Sequence, residues 1–463
     1  PDYFAAMQIE TLRRDWPVDG YWDAWRLRSR DGLRAWQERR LQTVLASAWR
    51  VPFYRNLWGA AGAEPGDIRG LEDLGRLPTY DKSDLMAAVE EQPPLGNLRS
   101  PPGGASADDQ SLILHTTSGT TGRPQPLLWG PRSREIQNVL LARLYLLHGM
   151  RPDDVVHSVY GFGTVNGGHY IREAIQHWIG ATVIPAGTGA ETRSAQQILL
   201  MRDFHATVLV GFGDYLIKLA EVAREAGMEP GHALPVRMIS GHFGTDGAAS
   251  LAAAWGTERV YDWYGVGDTG AIAGQGPERS GMHVLEDAHI VELVEPGTQE
   301  PVEDGLAGDL VCTCLYKDDV FPIIRFQTHD VTRFLPGPNP LGVPFRRIAG
   351  HLGRSDNMVK LRGINVYPQG IGAILWAQFG IREYVCRVSN SGGRQEMTVM
   401  VEAERADQAD GEREGDDLAA SVADTLRNRL GVAVAVETHA PGTTAALTGL
   451  ESRQKPVRLV FDG

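Results

Sequence analysis

The chain has 463 residues, 42% of them apolar, with 54 Gly, 27 Pro, three Cys and a formal net charge of −13. That length predicts two or three domains. An acidic balance without a basic run excludes an electrostatic footprint for nucleic acid. No apolar run reaches membrane-spanning length, and three Cys (Cys312, Cys314, Cys386) are too few for a disulfide scaffold. A soluble cytoplasmic enzyme without a signal peptide is the expected class.

Residues from about Leu12 to Arg50 read as helical. Trp22, Trp25, Leu27, Leu33, Trp36, Leu41, Val44 and Leu45 recur near helical spacing among arginines. This is a packing helix pair with a charged outer face, and its tryptophans are a candidate surface for a homodimer. Pro93 to Asp109 reads as a loop. From Ser111 short Val/Ile-rich runs alternate with helix-like ones. The strand-like runs are Val155–Val159, Thr182–Pro185, Thr207–Val210, Val236–Ser240 and Arg259–Asp262, and Ser194–Phe204 and Tyr215–Ala226 read as helices. That alternation predicts helix-covered sheets. From Gly281 strands and turns take over, with His289–Val294 and Asp309–Leu315 as strands, and this stretch reads as a β-rich subdomain. Ile348–Lys360 reads as a hinge. Beyond it, strands near Arg394–Val401 and Val432–Thr438 and a helix near Asp417–Arg429 make a small α+β domain, with Glu404–Asp417 an acidic surface loop. The fold class is α/β. Residues 1–110 form a helical and linker part, 111–353 a binding core and 354–463 a C-terminal domain.

The run His115–Pro124 packs hydroxyl side chains and two glycines into one loop after a strand. Its amides and hydroxyls can converge on an oxyanion, and a solvated turn is the competing reading. The Gly-Lys-Ser/Thr ending of a Walker A loop is absent. Tyr264-Gly265-Val266-Gly267-Asp268-Thr269 follows a short apolar strand, a normal ligand position in α/β folds. There Tyr264 suits a purine face or the core, and Asp268 offers Mg2+ hard oxygen. Asp330, ending Arg325–Asp330, suits a ribose diol. Gly353–Gly363 places Arg354, Asp356 and Lys360 around turns.

In this order the motifs resemble the adenylate-forming superfamily, and more closely its phenylacetate–coenzyme A ligase family. The resemblance runs nearly end to end. It includes Ala48–Arg55, Leu74–Leu85, Ser118–Pro124, Tyr264–Asp268, Gly281–His283, Arg325–Asp330, Gly353–Asp356, Arg362–Pro368 and Gln454–Arg458. It implies ATP-dependent formation of an acyl adenylate, then rotation of a mobile C-terminal domain and transfer to coenzyme A. It places Ser118, Gly119, Thr120, Thr121 and Gly122 on the phosphates and Tyr264, Gly265, Asp330, Arg354 and Lys360 around the nucleotide. Asp268 stands on Mg2+, Asp356 at the hinge and Lys455 on the reacting carboxylate and phosphate, with Thr117 and Arg325 completing the catalytic set. Asp268 replaces the family's usual Glu, and His329 and Gln454 stand where the family often has Gly.

The acyl pocket is expected among Tyr160, Phe162, Phe212, Tyr215 and Phe243, a flat apolar slot, with Asn166, His169 and His242 reading a substituent. The core is the alternative location for each aromatic. Together they favour an aromatic carboxylate as substrate. The resemblance also brings in a structural Zn2+, with His283, Cys312 and Cys314 as candidate ligands and Glu278 a weaker fourth, against two packed free thiols. An adenylating enzyme whose acceptor is an amine, a carrier-protein thiol or another nucleophile is the alternative function. A non-catalytic nucleotide-binding scaffold is a second alternative.

Overall fold

The computed structural model describes residues 2–99, 111–117, 123–362, 364–376, 381–391, 394–403, 412–449 and 456–461. The chain packs as two compact units. The first comprises Pro1–Asp154, Gly161–Pro185 and Trp263–Gly350, the second Val155–Tyr160, Ala186–Asp262 and His351–Gly463.

In the first unit the N-terminal helical stretch breaks into Ile9–Asp15, Tyr21–Arg26 and Arg30–Ala48. Pro17 disfavours helix at the residue before it, and Gly20 takes a left-handed φ of 65° just before the next helix starts. The tryptophans turn inward. Trp16 and Trp25 are buried, while the Trp22 and Trp36 indoles donate to the carbonyls of Arg143 and Asp287. The surface expected of them for a dimer is therefore mostly interior.

Helix Pro131–His148 starts with Pro at its first turn and ends at Gly149 in the left-handed region. Nearly every residue on it is buried, charged ones included. Their charges are met: Arg134 Nε donates to Glu173 at 2.7 Å and Arg143 Nη1 to Asp287 at 3.0 Å. Strands Ile113–Thr116 and Pro126–Trp129 form an antiparallel hairpin. The β-rich part expected from Gly281 onward is present, and its strands pair antiparallel. Its strands, in neighbour order, are His289–Val294, Ala307–Cys314, Phe326–Leu335, Arg347–Ile348, Met282–Val284 and Gly270–Gln275.

In the second unit Val155–Ser158, Val208–Phe212, Met238–His242 and the start of Val260–Val266 pair in parallel. Helices Ser194–Asp203, Gly213–Glu225 and Gly244–Trp255 make the crossovers. The strands carry apolar runs because both faces are covered. The C-terminal part has a four-stranded sheet in the order Ala435–His439, Arg394–Ala403, Ile381–Ser391 and Leu459–Phe461. Helices Pro368–Trp376 and Glu412–Leu430 accompany it, over a core including Ile371, Leu375, Tyr384, Val399, Val422 and Leu426. Residues 412–417, expected in an acidic loop, begin that second helix, whose Val422 and Leu426 are buried in the core, while residues 404–411 of that expected loop lie outside the described residues.

Candidate active site

The hairpin Ile113–Thr116/Pro126–Trp129 fixes the base of the Ser/Thr/Gly loop. The Thr117 amide donates to Gln125 O at 3.0 Å, and the Gln125 amide donates to Thr117 Oγ1 at 3.1 Å. Ser118 to Gly122 lie outside the described residues, as does Lys455. Thr117 therefore serves the turn with its hydroxyl. Gln125, which sequence reasoning passed over, donates from Nε2 to Asp268 Oδ1 at 2.7 Å, so the base of this loop and the Asp268 loop are joined by a buried bond.

Asp268 sits in the turn between strands Val260–Val266 and Gly270–Gln275. Burial pushes its carboxyl up; the Lys317 charge and the Gln125 hydrogen bond offset this only in part. Lys317 Nζ donates to Asp268 O at 3.4 Å and lies 4.0 Å from the centre of the Trp129 ring, with its own ammonium pushed down by burial. Tyr316 Oη donates to Thr269 O at 2.8 Å. Lys317 too went unread in the sequence. Its signal was a lone cation in the run Leu315-Tyr316-Lys317. Gly265 is required where it stands, because a Cβ there would lie 2.3 Å from Gly270 O.

Tyr264 and Asp330 come together. Tyr264 Oη donates to Asp330 Oδ2 at 2.8 Å, and the Asp330 amide donates to Thr328 Oγ1 at 3.1 Å. Burial raises the Tyr264 hydroxyl well above its usual range, so it stays a donor. His329, with φ 60°, pairs through Nε2 with Asp81 Oδ2 at 2.8 Å. Arg325 is spent within the fold: Nε and Nη2 each reach Glu292 at 3.1 Å, and Nη1 donates to the carbonyls of Gly75 and Leu77. In the second unit Arg354 makes a bidentate pair with Asp356, at 2.8 and 2.6 Å. Gly353 precedes them at φ 146°, where a Cβ would meet the Tyr367 ring at 2.5 Å. Lys360 lies on strand Val359–Leu361.

The acyl-pocket candidates fall into two groups. In the second unit Tyr160, Phe212 and His242 gather at the C-terminal ends of the parallel strands, the ligand end of such sheets. Tyr160 Oη and His242 Nδ1 are 2.7 Å apart, the Phe212 and His242 rings stack at 5.1 Å, and Tyr160 meets Phe212 edge-on at 5.0 Å. Phe243 follows His242. Tyr215 is turned to Ser194, its hydroxyl 2.9 Å from Oγ. In the first unit the Phe162 and His169 rings are 5.6 Å apart, and His169 also lies against His115 at 4.8 Å. Burial draws the His115 imidazole down to about 4. Asn166 is buried between Arg134, whose guanidinium it accepts from, and Gly267 O, to which Nδ2 donates at 3.3 Å.

Residues 363–460 match the family model of the AMP-binding enzyme C-terminal domain. The phenylacetate–coenzyme A ligase of Thermus thermophilus is 33% identical over 360 residues, covering 75% of this chain and 76% of that one. The chain belongs to the adenylate-forming superfamily. It is an AMP-forming acid–thiol ligase of that superfamily, an ATP-dependent acyl- or aryl-coenzyme A ligase working through an adenylate, and this sets aside the scaffold alternative. Among solved structures, a 2-hydroxyisobutyryl-CoA ligase in its postadenylation state, in complex with an acyl-AMP, matches at TM-score 0.80 and 27% identity, covering 92% of this chain and 89% of that one. The same ligase in its thioesterification state, bound to the adenylate and coenzyme A, matches at TM-score 0.64 and 28% identity, covering 93% and 89%. No described helix of this ligase is long and apolar enough to cross a membrane.

The cysteine cluster of this ligase is not the expected one. The histidine beside Cys312 and Cys314 is His289, with donor atoms of all three within 4.8 Å of one another. Strand register explains it: His289 pairs with Cys314 and Val291 with Cys312, and the two cysteines, two apart, share a face. His283 instead lies 2.6 Å from Glu278 Oε1. Burial raises both thiols, but at Cys314 the hydrogen bonds from Cys312 and His289 outweigh it and draw that thiol down, leaving Cys312 the one held high. Two sulfurs and an imidazole nitrogen are a donor set that fits Zn2+, offering three of the four ligands a closed structural site takes.

Proposed function

We propose that this ligase activates an aromatic carboxylic acid. The carboxylate oxygen attacks the α-phosphorus of ATP and expels pyrophosphate. The sulfur of coenzyme A then attacks the acyl carbonyl, loses its proton and expels AMP. The observation that carries the aromatic reading is the Tyr160–Phe212–His242 cluster at the strand ends, three rings in contact with the Tyr160 hydroxyl and His242 Nδ1 2.7 Å apart. The likeness to phenylacetate–coenzyme A ligases supports it.

The remaining roles follow the chemistry of the groups. Asp330 receives the ribose hydroxyls with Tyr264 holding its carboxylate. Asp268 holds Mg2+; its buried carboxyl is not fully compensated by protein cations, and a divalent ion would supply that charge. Mg2+ when bound neutralises phosphate charge. Ser118–Gly122 hold the phosphates, Asp356 is the hinge, and Lys455 stabilises the charge that builds up at phosphorus, a contribution typically worth ~3 kcal/mol. Lys455→Ala is expected to cripple adenylation and spare thioester formation from a supplied adenylate. Equal loss in both half-reactions would remove that role.

The test is ATP conversion to AMP and pyrophosphate over a panel of aromatic and aliphatic acids, with and without coenzyme A. Coenzyme-A-dependent turnover of an aryl acid, with its thioester as product, establishes the reading. Preference for an aliphatic acid refutes the aromatic part, and AMP release that needs no coenzyme A refutes the acceptor.

A further inference from the structure

Helix Gly213–Glu225 and the C-terminal segment belong to the same compact unit. Asp214 and Glu221 on this helix are seven residues apart, close to two turns, so their side chains leave one face. Each meets an arginine from the region that matches the C-terminal domain model. Arg458 Nη2 pairs with Asp214, and Arg382 Nε lies 3.7 Å from Glu221 Oε2. The two arginines come from paired strands. Ile381–Ser391 runs parallel to Leu459–Phe461, and the Cys386 amide donates to Arg458 O at 2.9 Å. Arg458 is buried. Its Nη1 is shared between Glu383 and Tyr384 O, and its guanidinium covers the Tyr384 ring at 4.3 Å. Such a cation has lost its water and depends on the carboxylates around it. Helix Pro368–Trp376 also packs on Gly244–Trp255 in this unit.

We propose that these two ion pairs are a latch that holds the C-terminal domain on the Gly213–Glu225 helix for adenylation and opens before the thiol step. The proposal rests on the two-step reaction above. Arg458 stands three residues after Lys455, and three residues of chain span at most ~11 Å. Where Arg458 is held therefore limits where the Lys455 ammonium can act. The better match to the postadenylation form of the 2-hydroxyisobutyryl-CoA ligase than to its thioesterification form, 0.80 against 0.64, supports assigning the contact to the first half-reaction. Arg382 and Arg458 are positioning residues that act through the placement of the domain, since neither touches a reacting atom.

The pair Glu221–Arg382 is half-buried and can be inverted without opening the core. Glu221→Arg is expected to slow acid-dependent ATP–pyrophosphate exchange roughly 5- to 10-fold, the scale of ordinary coupling between sites. Thioester formation from supplied adenylate should be unchanged or faster. Combining it with Arg382→Glu should restore exchange. Asp214→Asn should show the same asymmetry without a charge reversal. Equal losses in both half-reactions, or no restoration on inversion, overturn the latch. A second readout does not need turnover. The three native cysteines are buried, so spin labels at Leu199→Cys and Phe461→Cys, both exposed, report the distance between the helical layer and the C-terminal sheet. A narrow distribution that broadens with Glu221→Arg and narrows again in the inverted pair supports the latch even if no acid on the panel is adenylated. An unchanged distribution overturns it.

Discussion

Asp330 shows how much a single hydroxyl contributes. Its carboxylate is buried and takes a hydrogen bond from Tyr264 Oη at 2.8 Å. Tyr264→Phe keeps the ring and removes that donor. A lost bond to a buried charged group costs about 1.5–3 kcal/mol, so KM for ATP is expected to rise roughly 10- to 100-fold, with kcat changed much less. Steady-state kinetics at saturating acid separates the two, and a fall in kcat alone would mean that the hydroxyl serves the reacting centre instead. Tyr264, Asp268 and Asp330 were legible in the sequence because each sits in a motif. The bond between Tyr264 and Asp330 was not, since 66 residues separate them. Arg325 teaches the same in reverse. The motif marks it, and only the fold reveals that Glu292, Gly75 and Leu77 occupy its donors.

At the scale of the element, helix Pro131–His148 departs from an amphipathic pattern. It is buried on almost all sides and carries Arg134, Glu135 and Arg143 into the interior. Arg143 lies 3.0 Å from Asp287, which also accepts from Tyr21 Oη at 2.6 Å, and its guanidinium covers the Tyr21 ring at 3.8 Å. Removing one partner leaves a buried charge uncompensated. Arg143→Ala is expected to destabilise by about 3–5 kcal/mol, and Arg143→Met with Asp287→Leu by much less. Denaturant unfolding of the three proteins checks this; a single substitution no worse than the double would mean that Asp287 finds other compensation. The parallel strands, by contrast, announce themselves as short Val/Ile runs. Most of their limits in the structure differ from the sequence reading by at most two residues, as at Val208–Phe212, where the ladder continues past the apolar run into Gly211 and Phe212, whereas Val260–Val266 runs four residues past the expected Asp262. Residues 412–417 of the acidic stretch were misjudged because their charge outweighed a helix periodicity that becomes visible only once one face has a core to cover.

Across the whole molecule, burial favours the neutral form of His115, His148 and His157, and of His283 beside Glu278, among the described residues. Burial lowers His115 and His157 to about 4 and His148 to about 3, from an ordinary 6.5. Between pH 6.5 and about 4 the unfolded chain binds protons on these residues that the folded chain does not. Stability therefore rises with pH through that window and is lost as pH falls. His157, bonded through Nε2 to Gln197 Oε1 at 2.9 Å, is the cleanest of them. His157→Gln should shrink the loss of stability between pH 6.5 and 4 by about 2–3 kcal/mol. Unfolding midpoints across that range decide it, and an unchanged slope would show that His157 takes up its proton without unfolding.

The sequence by itself determined the order of motifs, and with it the superfamily, the α/β class and the change to strands and turns after Gly281, because turn residues, strand periodicity and loop chemistry are written locally. Tertiary structure decided which distant groups meet. It put His289 rather than His283 beside the cysteines, because cross-strand register sets neighbours that spacing along the chain does not. It tied Gln125 to Asp268 across 143 residues, and it set Arg382 and Arg458 against one face of a helix more than 150 residues upstream. Pairing across such separations is governed by packing and by the need to compensate buried charge, and neither has a period that a sequence displays.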